Sequence, residues 1–356
     1  MNPSIPPTPP IPSPSSTGYQ PLLDLIAAAQ TILVLQPDAP DGDSLGTALG
    51  LEEIFGDLGK TVHLYSYKEP EPYLHSLEGW DRVRVDKDFP KSFDLTVIVD
   101  IGSPALIKSV IEHHFDRLTA KPVTVIDHHV SRQPFGFELA AEVVEEAVAA
   151  AEVVTRVAQT AGWSINPAAA AKLAAAILAD SLGLTTSGTT ADSVEALATL
   201  TRAGANLHRL HQDRIAASAL TPDLLHLKGR LLSSIEFHLD DRLAIAEIDP
   251  ETVREYKDIT EPYALILNEM QRVKGVELVA VFKNYGTKIN VPLRSNTGAA
   301  GPIAELFGGG GHPNAAAYRC PGRNISTEKQ ILIDTYAKYL ADQLTPTTPK
   351  DAHETI

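Results

Sequence analysis

The chain has 356 residues, which at about 150 residues per domain suggests two domains. Hydrophobic residues make up 44% and charged residues 21%, the balance of an ordinary globular protein. Thirty Lys and Arg against 45 Asp and Glu leave a net charge of −15, which argues against a protein that grips long duplex nucleic acid through many phosphate contacts but leaves room for short nucleotides in a small basic pocket.

Residues 1–20 are dominated by Pro, Ser and Thr and read as a disordered tail, since they bury too little apolar surface to offset the entropy of ordering. From residue 21 to 205, short apolar runs alternate with helical patterns. Ile32–Leu35 is a strand buried on both faces, followed by a Pro-Asp-Gly turn and a helix from about Ser44 to Leu58, closed by Gly59. Thr61–Ser66, Leu95–Val99 and Val123–Ile126 are further strands, with a helix from Ser103 to about His113. The Ala- and Val-rich stretch 142–161 ends as a helix. Asn166 caps a helix that starts on Pro167 and delivers Asp180, and another helix spans about Ala191–Ala203. This alternation predicts an α/β domain, a mainly parallel sheet with helices on both faces.

Residues 206–233 read as a helical linker, broken near Thr221-Pro222. Residues 234–344 form a smaller α+β domain with a mixed sheet. Its hairpins are 234–248 around Asp240-Asp241 and 277–294 around Tyr285-Gly286, and a closing helix runs from about Ser326 to Leu344. Residues 345–356 read as a loose tail. Cys320 is the one cysteine, which excludes an internal disulfide and a multi-cysteine zinc site. No apolar run reaches about 18 residues, so no membrane span is expected. The first basic residue is Lys60, so the start lacks the positive region of a signal peptide. The expectation is a cytoplasmic protein.

Four acidic or histidine-bearing positions fall where strands or a helix end, the place where open α/β sheets bind ligands. Asp41 and Asp43, two apart in a turn, can present both carboxylates to one cleft and suit a hard divalent cation; the plainer reading is a turn that caps the next helix. Asp100 follows the Leu95–Val99 strand and could equally cap the helix after it. Asp127-His128-His129 follows another buried strand, where imidazole can ligate a metal and the adjacent carboxylate can fix a ring's orientation. Asp180 closes a helix, where a carboxylate opposes the macrodipole unless a cation compensates. In the second domain, Gly308–Gly311 can bring backbone N–H groups to phosphate oxygens, with His312 at the end; a flexible linker is the alternative. Arg272, Lys274, Lys283, Lys288 and Arg294 form a local basic stripe, in which Arg294 can fork onto a phosphate; the alternative is a solvated strand face.

Taken in order, Pro40-Asp41-Gly42-Asp43, Asp100, Asp127-His128-His129, Asp180, Arg294-Ser295 and Gly308–Ala317 resemble the DHH/DHHA1 phosphoesterase superfamily over about residues 25–343, nearest to the bacterial nanoRNase-type oligoribonuclease/phosphoadenosine-phosphate phosphatases. The resemblance implies two Mn²⁺ ions, with Mg²⁺ as an alternative. Asp41 and Asp100 would hold one ion; Asp43, Asp100, His128 and Asp180 would hold the other. It further implies that His129 contacts the scissile phosphate, that Asp127 supports the site from behind, and that Arg294, Ser295, His312 and the backbone of Gly309, Gly310 and Gly311 hold a substrate phosphate or terminal nucleotide. One departure stands out. Pro37 occupies the position, three before Pro40, where the family usually has a metal-ligating His; the first ion would then draw on Asp38, Gln36 or water, or be missing. A second is Ala317-Tyr318 where a Gly often follows the Ala run.

The function so implied is two-metal hydrolysis of short single-stranded RNA or a small nucleotide such as phosphoadenosine phosphate, without long duplex or membrane partners; a homodimer is left open. Other readings stand beside it: a nucleotide-binding protein whose catalysis is weakened by Pro37, and, among enzymes, a cyclic-dinucleotide phosphodiesterase, a pyrophosphatase or polyphosphatase, or a single-strand exonuclease, the last disfavoured for long strands by the net charge and the small second domain. Retention of the remaining ligand types favours the enzyme.

Overall fold

The computed structural model describes residues 18–129, 132–217, 219–256, 261–321 and 324–344. The tails read as disordered lie, for 1–17 and 345–356, outside the described residues. Tyr19 is buried and its hydroxyl donates to Glu145, so order begins before residue 21, with helix α1 (Gln20–Ala28). The chain divides into two compact units, Met1–Ala219 and Leu220–Ile356. The stretch 206–233 is split between them: α7 (Leu207–Ala217) lies in the first, and α8 (Pro222–Ser233) packs Leu224, Leu227 and Leu231 into a core of the second.

The first unit carries an all-parallel five-stranded sheet in the order β2-β1-β3-β4-β5. Its strands are β1 (Thr31–Leu35), β2 (Thr61–Tyr65), β3 (Leu95–Val99), β4 (Val123–Asp127) and β5 (Ala141–Val144). The continuous apolar runs of β1, β3 and β4 arise because both faces are covered. Ile32 and Val34 pack into one core, while Leu33 and Leu35 pack into another on the opposite face. The order reverses between β1 and β3, which opens a crevice at their carboxyl ends. β5 and α1 were not separable in the sequence. β5 is a four-residue edge strand with a half-exposed pattern.

On one face of the sheet, α2 (Gly42–Asp57) and α5 (Pro167–Asp180) meet at unusually close range. A Cβ at Gly42 would come within 2.6 Å of the Ala179 methyl, one at Gly46 within 2.9 Å of the Ala176 methyl, and one at Gly50 within 2.7 Å of Leu173. Glycines at i, i+4 and i+8 thus form a flat stripe against small residues of α5. α5 begins as expected: the Asn166 side chain accepts from Ala169 N, and Pro167 occupies the first turn.

The second unit holds a mixed six-stranded sheet, β10-β11-β9-β8-β7-β6. The strands are β6 (Glu236–His238), β7 (Leu243–Ile248), β8 (Leu278–Asn284), β9 (Lys288–Ser295), β10 (Gly310–His312) and β11 (Ala315–Pro321). Only β7 and β8 run parallel; α9 (Pro250–Tyr256) and α10 (Ala264–Gln271) fall between them in the chain. Both expected hairpins are present. α11 (Ala300–Leu306) and α12 (Ile325–Leu344) complete the unit, and one sheet face packs Leu278, Ala280, Phe282, Val291 and Leu293 with Ile303, Leu332 and Tyr336. Among the described residues, no helix is long and apolar enough to cross a membrane.

The glycine stripe yields a direct test. Gly46→Val places two methyls where Ala176 and the Lys172 carbonyl already sit, so urea unfolding should show a loss of about 1–3 kcal/mol, the usual range for overpacking. Gly56→Ala meets nothing within 4 Å and should be neutral or stabilising.

Candidate metal centre

Each acidic position of the first unit sits where backbone geometry aims it at the crevice. Asp41 is the N-cap of α2: one carboxylate oxygen accepts from Ser44 N at 3.0 Å and from Ser44 Oγ at 2.9 Å, and Ser44 Oγ accepts from Asp41 N at 2.8 Å. The helix-capping reading of this turn therefore holds for Asp41. Asp43 lies in the first turn of the same helix with 1% of its surface exposed. Its carboxylate accepts from Ala150 N at 2.6 Å, Ala151 N at 3.2 Å and Thr47 Oγ1 at 3.0 Å, so it also caps α4 (Ala150–Ala161). Asp100 follows β3 in the left-handed region, φ +59°, a conformation that Asp tolerates better than most residues; it too is buried.

His128 leaves the end of β4. Its Nδ1 lies 3.0 Å from the Ala147 carbonyl, which can only accept, so Nδ1 carries the hydrogen and Nε2 is directed elsewhere. That nitrogen stands 3.3 Å from Asp100 Oδ1, 3.6 Å from Asp180 Oδ2 and 3.9 Å from Asp43 Oδ2. Asp43, His128 and Asp180 offer donor atoms within 4.8 Å of one another, as do Asp100, His128 and His129. Residues from four separate stretches, spanning positions 43 to 180, thus meet at one point. Asp180 comes there because the α2–α5 seam holds the start of one helix against the end of the other.

The electrostatics match that crowding. Burial, then the repulsion of Asp100, pushes Asp43 well above the usual carboxylate range. Burial lifts Asp100 to about 6 against the pull of His128, and burial with the field of Asp41 raises Asp180. Burial would lower His128, but hydrogen bonding to Asp100 and the charge of Asp43 outweigh it and lift the imidazole to about 10. A neutral imidazole nitrogen and three carboxylates around one point form the donor set of a divalent cation, and a cation there would remove the repulsion that raises these carboxyls. The residues fit a metal.

His129 Nδ1 donates to Asp127 Oδ1 at 2.7 Å, and Asp127 Oδ2 lies 3.4 Å from Arg132 Nε, which in turn pairs with Glu142. Burial pushes Asp127 upward, but His129 holds it below the ordinary carboxylate range. The Asp127 hydrogen bond raises His129 against burial. With Nδ1 tethered and the side chain 41% exposed, the ring's Nε2 edge is available to solvent or ligand. The turn at the end of β4 therefore carries two imidazoles of different use, one facing the carboxylates and one braced from behind.

Near Pro37, Asp38 belongs to neither group of close donor atoms, and its Oδ1 is buried without a hydrogen-bond partner. Asp38 accepts from Ser109 N at 2.7 Å, in the first turn of α3 (Lys108–Thr119). Gln36 is fully buried and neither amide atom has a hydrogen-bond partner. Asp41 reaches Asp100 and Asp180 through its charge, but it belongs to neither group of close donor atoms. Residue-by-residue reading did not find Thr47, Arg132 or the Ala147 carbonyl, which orient the ligands. Only the glycine spacing 42, 46, 50 carried a signal of the seam.

In the second unit, Arg294, Ala315 and His312 pair across β9, β11 and β10 and so share one face, with a methyl between the two long side chains. Arg294 Nη1 donates to the Leu293 carbonyl at 2.9 Å; His312 is exposed. Ser295 differs from its expected use: it is buried, its hydroxyl donates to the Glu277 carbonyl at 2.9 Å and accepts from Thr297 N and Ala299 N. That bonding anchors the turn between β9 and α11. The glycine run is a helix stop and a strand, not an open loop. Gly309 N donates to the Ala304 carbonyl at 2.8 Å, and Gly310–His312 pair antiparallel with Ala315–Ala317. A Cβ at Gly309 would lie 2.2 Å from the Ala317 carbonyl oxygen, and Gly311 has φ +142°, so glycine is demanded by the close strand and by backbone angle.

Asp127→Asn keeps the shape but weakens the brace on His129 and on the turn. Loss of a hydrogen-bonded support behind a metal site typically costs about 10–100-fold in metal affinity or activity, and calorimetric Mn²⁺ titration should show a decrease in that range. Asp43→Asn, which removes a charge from the cluster, should show the larger loss while circular dichroism is unchanged.

Residues 31–189 match the family described as "DHH family, N-terminal domain". The A-adding tRNA nucleotidyltransferase of Aquifex aeolicus is 30% identical over 311 residues, covering 86% of this chain and 35% of its own length; the chain thus spans about a third of that relative. The bifunctional oligoribonuclease and PAP phosphatase NrnA of Thermus thermophilus is 28% identical over 307 residues, covering 85% of this chain and 87% of its own. Among solved structures, an exopolyphosphatase-related protein from Bacteroides fragilis shares the fold, with a TM-score of 0.79 at 19% identity over 92% of this chain and 98% of that one.

Proposed function

We propose, for a chain that belongs to the DHH family through its residues 31–189, that it is a metal-dependent phosphoesterase acting on short oligoribonucleotides and on small nucleotides such as phosphoadenosine phosphate. The observation that carries this reading is the convergence of Asp43, Asp100, Asp180 and His128 Nε2 on one point. The NrnA relatives, oligoribonucleases and PAP phosphatases by name and similar along most of their length, support the substrate class. Divalent ions bound there, Mn²⁺ or Mg²⁺, would supply an activated water and neutralise charge on the phosphoryl oxygens.

The chain's own groups divide the remaining work. Asp43, Asp100, His128 and Asp180 would hold a cation, and Asp41 with Asp100 would hold a second one. His128 is kept in the one tautomer that leaves Nε2 free by its bond to the Ala147 carbonyl. His129, whose pKa the Asp127 hydrogen bond raises, would donate to a non-bridging phosphate oxygen, a stabilisation that grows as negative charge develops. Arg294 and His312 would grip a substrate phosphate from the second unit. There Arg294 offers a planar fork that Lys cannot imitate. The Gly309–Gly311 backbone is proposed as part of the same grip, with Gly309 N already bonded to the end of α11.

Pro37 favours a second reading, binding without efficient turnover, because proline has no side-chain donor to take the place of the family's His. One assay separates the two. With Mn²⁺, the wild type should release mononucleotide from a dinucleotide RNA and phosphate from phosphoadenosine phosphate, and Asp100→Ala should abolish both. Tight binding of these compounds with no product at millimolar Mn²⁺ would establish the binding protein instead. Cleavage confined to a cyclic dinucleotide would move the substrate class.

A further inference from the structure

A second basic concavity lies in the Leu220–Ile356 unit, on the sheet face that carries Arg294 but further along β9. The strand register explains it. Lys283 on β8 pairs with Asn290 on β9, and Asn290 pairs with Arg319 on β11, so the three project as a row from one sheet face. Arg294 is on the same face of β9 but four residues further along, about 13 Å away at about 3.3 Å per residue. The row lines a cavity of about 520 Å³ together with Tyr263, Gly308 and Gly309, a size typical of small-molecule sites.

The chemistry of the lining is specific. Arg319 is exposed and has no carboxylate partner among the described residues, in a chain whose net charge is −15. Lys283 is held at 2.8 Å by Glu261 and lies 4.6 Å over the Tyr263 ring, which fixes its ammonium at the cavity wall. Asn290 Oδ1 is buried without a hydrogen-bond partner, and such an acceptor calls for a donor. Gly308 and Gly309 leave the rim without side chains. A ligand that satisfies all of this carries an anion for Arg319, an N–H donor for Asn290 and a flat apolar face.

We propose that the cavity bounded by Lys283, Asn290 and Arg319 is a nucleoside-monophosphate site whose side chains are distinct from Arg294 and His312, Gly309 being shared with the grip proposed above. Arg319 takes the phosphate through a charge-assisted fork, and Asn290 reads an amino or imino group of the base. The site belongs to the second unit alone and does not rest on the phosphoesterase reading.

The test uses the full chain carrying Asp100→Asn and Arg294→Ala, treated with chelator and titrated calorimetrically with AMP and, separately, with inorganic phosphate. AMP should bind saturably in this background. Arg319→Glu should weaken it by about tenfold or more, the worth of one charge-assisted contact, and Arg319→Lys should recover part of the loss. Inorganic phosphate should bind about tenfold or more weakly than AMP, since it lacks the base. Absence of saturable AMP binding, or an affinity unmoved by Arg319→Glu, would overturn the site. Phosphate binding as tightly as AMP would overturn its nucleoside specificity. Because turnover is not read, either failure leaves the phosphoesterase reading untouched.

Discussion

Three carboxylates crowd one imidazole nitrogen at the carboxyl end of a parallel sheet, and two of them are almost removed from water. Like charges so placed are costly in a medium that screens them poorly. The protein meets that cost partly with backbone N–H groups: Asp43 accepts from the first turn of α4. It meets another part with His128, whose other ring nitrogen is tied to the Ala147 carbonyl. What remains uncompensated is visible in the upward displacement of Asp43, Asp100 and Asp180. A divalent cation is the counter-charge that this geometry lacks, and the rest of the first unit can be read as the apparatus that holds the repelling groups together.

The most demanding part of that apparatus is the α2–α5 seam. Asp43 and Asp180 lie 137 residues apart, on helices with no common strand. They meet because Gly42, Gly46 and Gly50 remove every side chain from one stripe of α2, which lets α5 approach to methyl contact. Glycine inside a helix costs about 0.5–1 kcal/mol relative to Ala, so three in one stripe are a local penalty offset by close packing and by placement of the site. The same stripe begins beside the two acidic residues it serves, so stability and ligand geometry are coupled through a few methyl-sized contacts.

The second unit uses glycine differently. Gly308 and Gly309 end α11, and Gly310–His312 then pair as an edge strand. The run does not flap freely, because β11 and α11 confine it from both sides: a Cβ at Gly301 would come within 3.2 Å of the His312 carbonyl oxygen. His312 and Arg294 gain fixed positions from the β9–β11–β10 register. The same register sets Lys283, Asn290 and Arg319 in a row further along the sheet. One sheet face therefore presents two groups of polar side chains, one carrying Arg294 and the other Lys283 and Arg319.

Local sequence determined a great deal here because its signals were short-range. Buried parallel strands require continuous apolar runs, Asn166-Pro167 starts a helix by capping chemistry, and the acids and histidines appear directly after the strands that carry them. That was enough to predict the α/β unit and the mixed-sheet unit. Tertiary structure alone decided which of those residues share a point and which serve as scaffold. Ser295 is bonded to the Glu277 carbonyl, Asp38 caps α3, and the glycine run is a strand. Those outcomes depend on pairings between distant segments, where one carboxylate or one N–H has several partners of equal local merit. Packing of the whole chain selects among them.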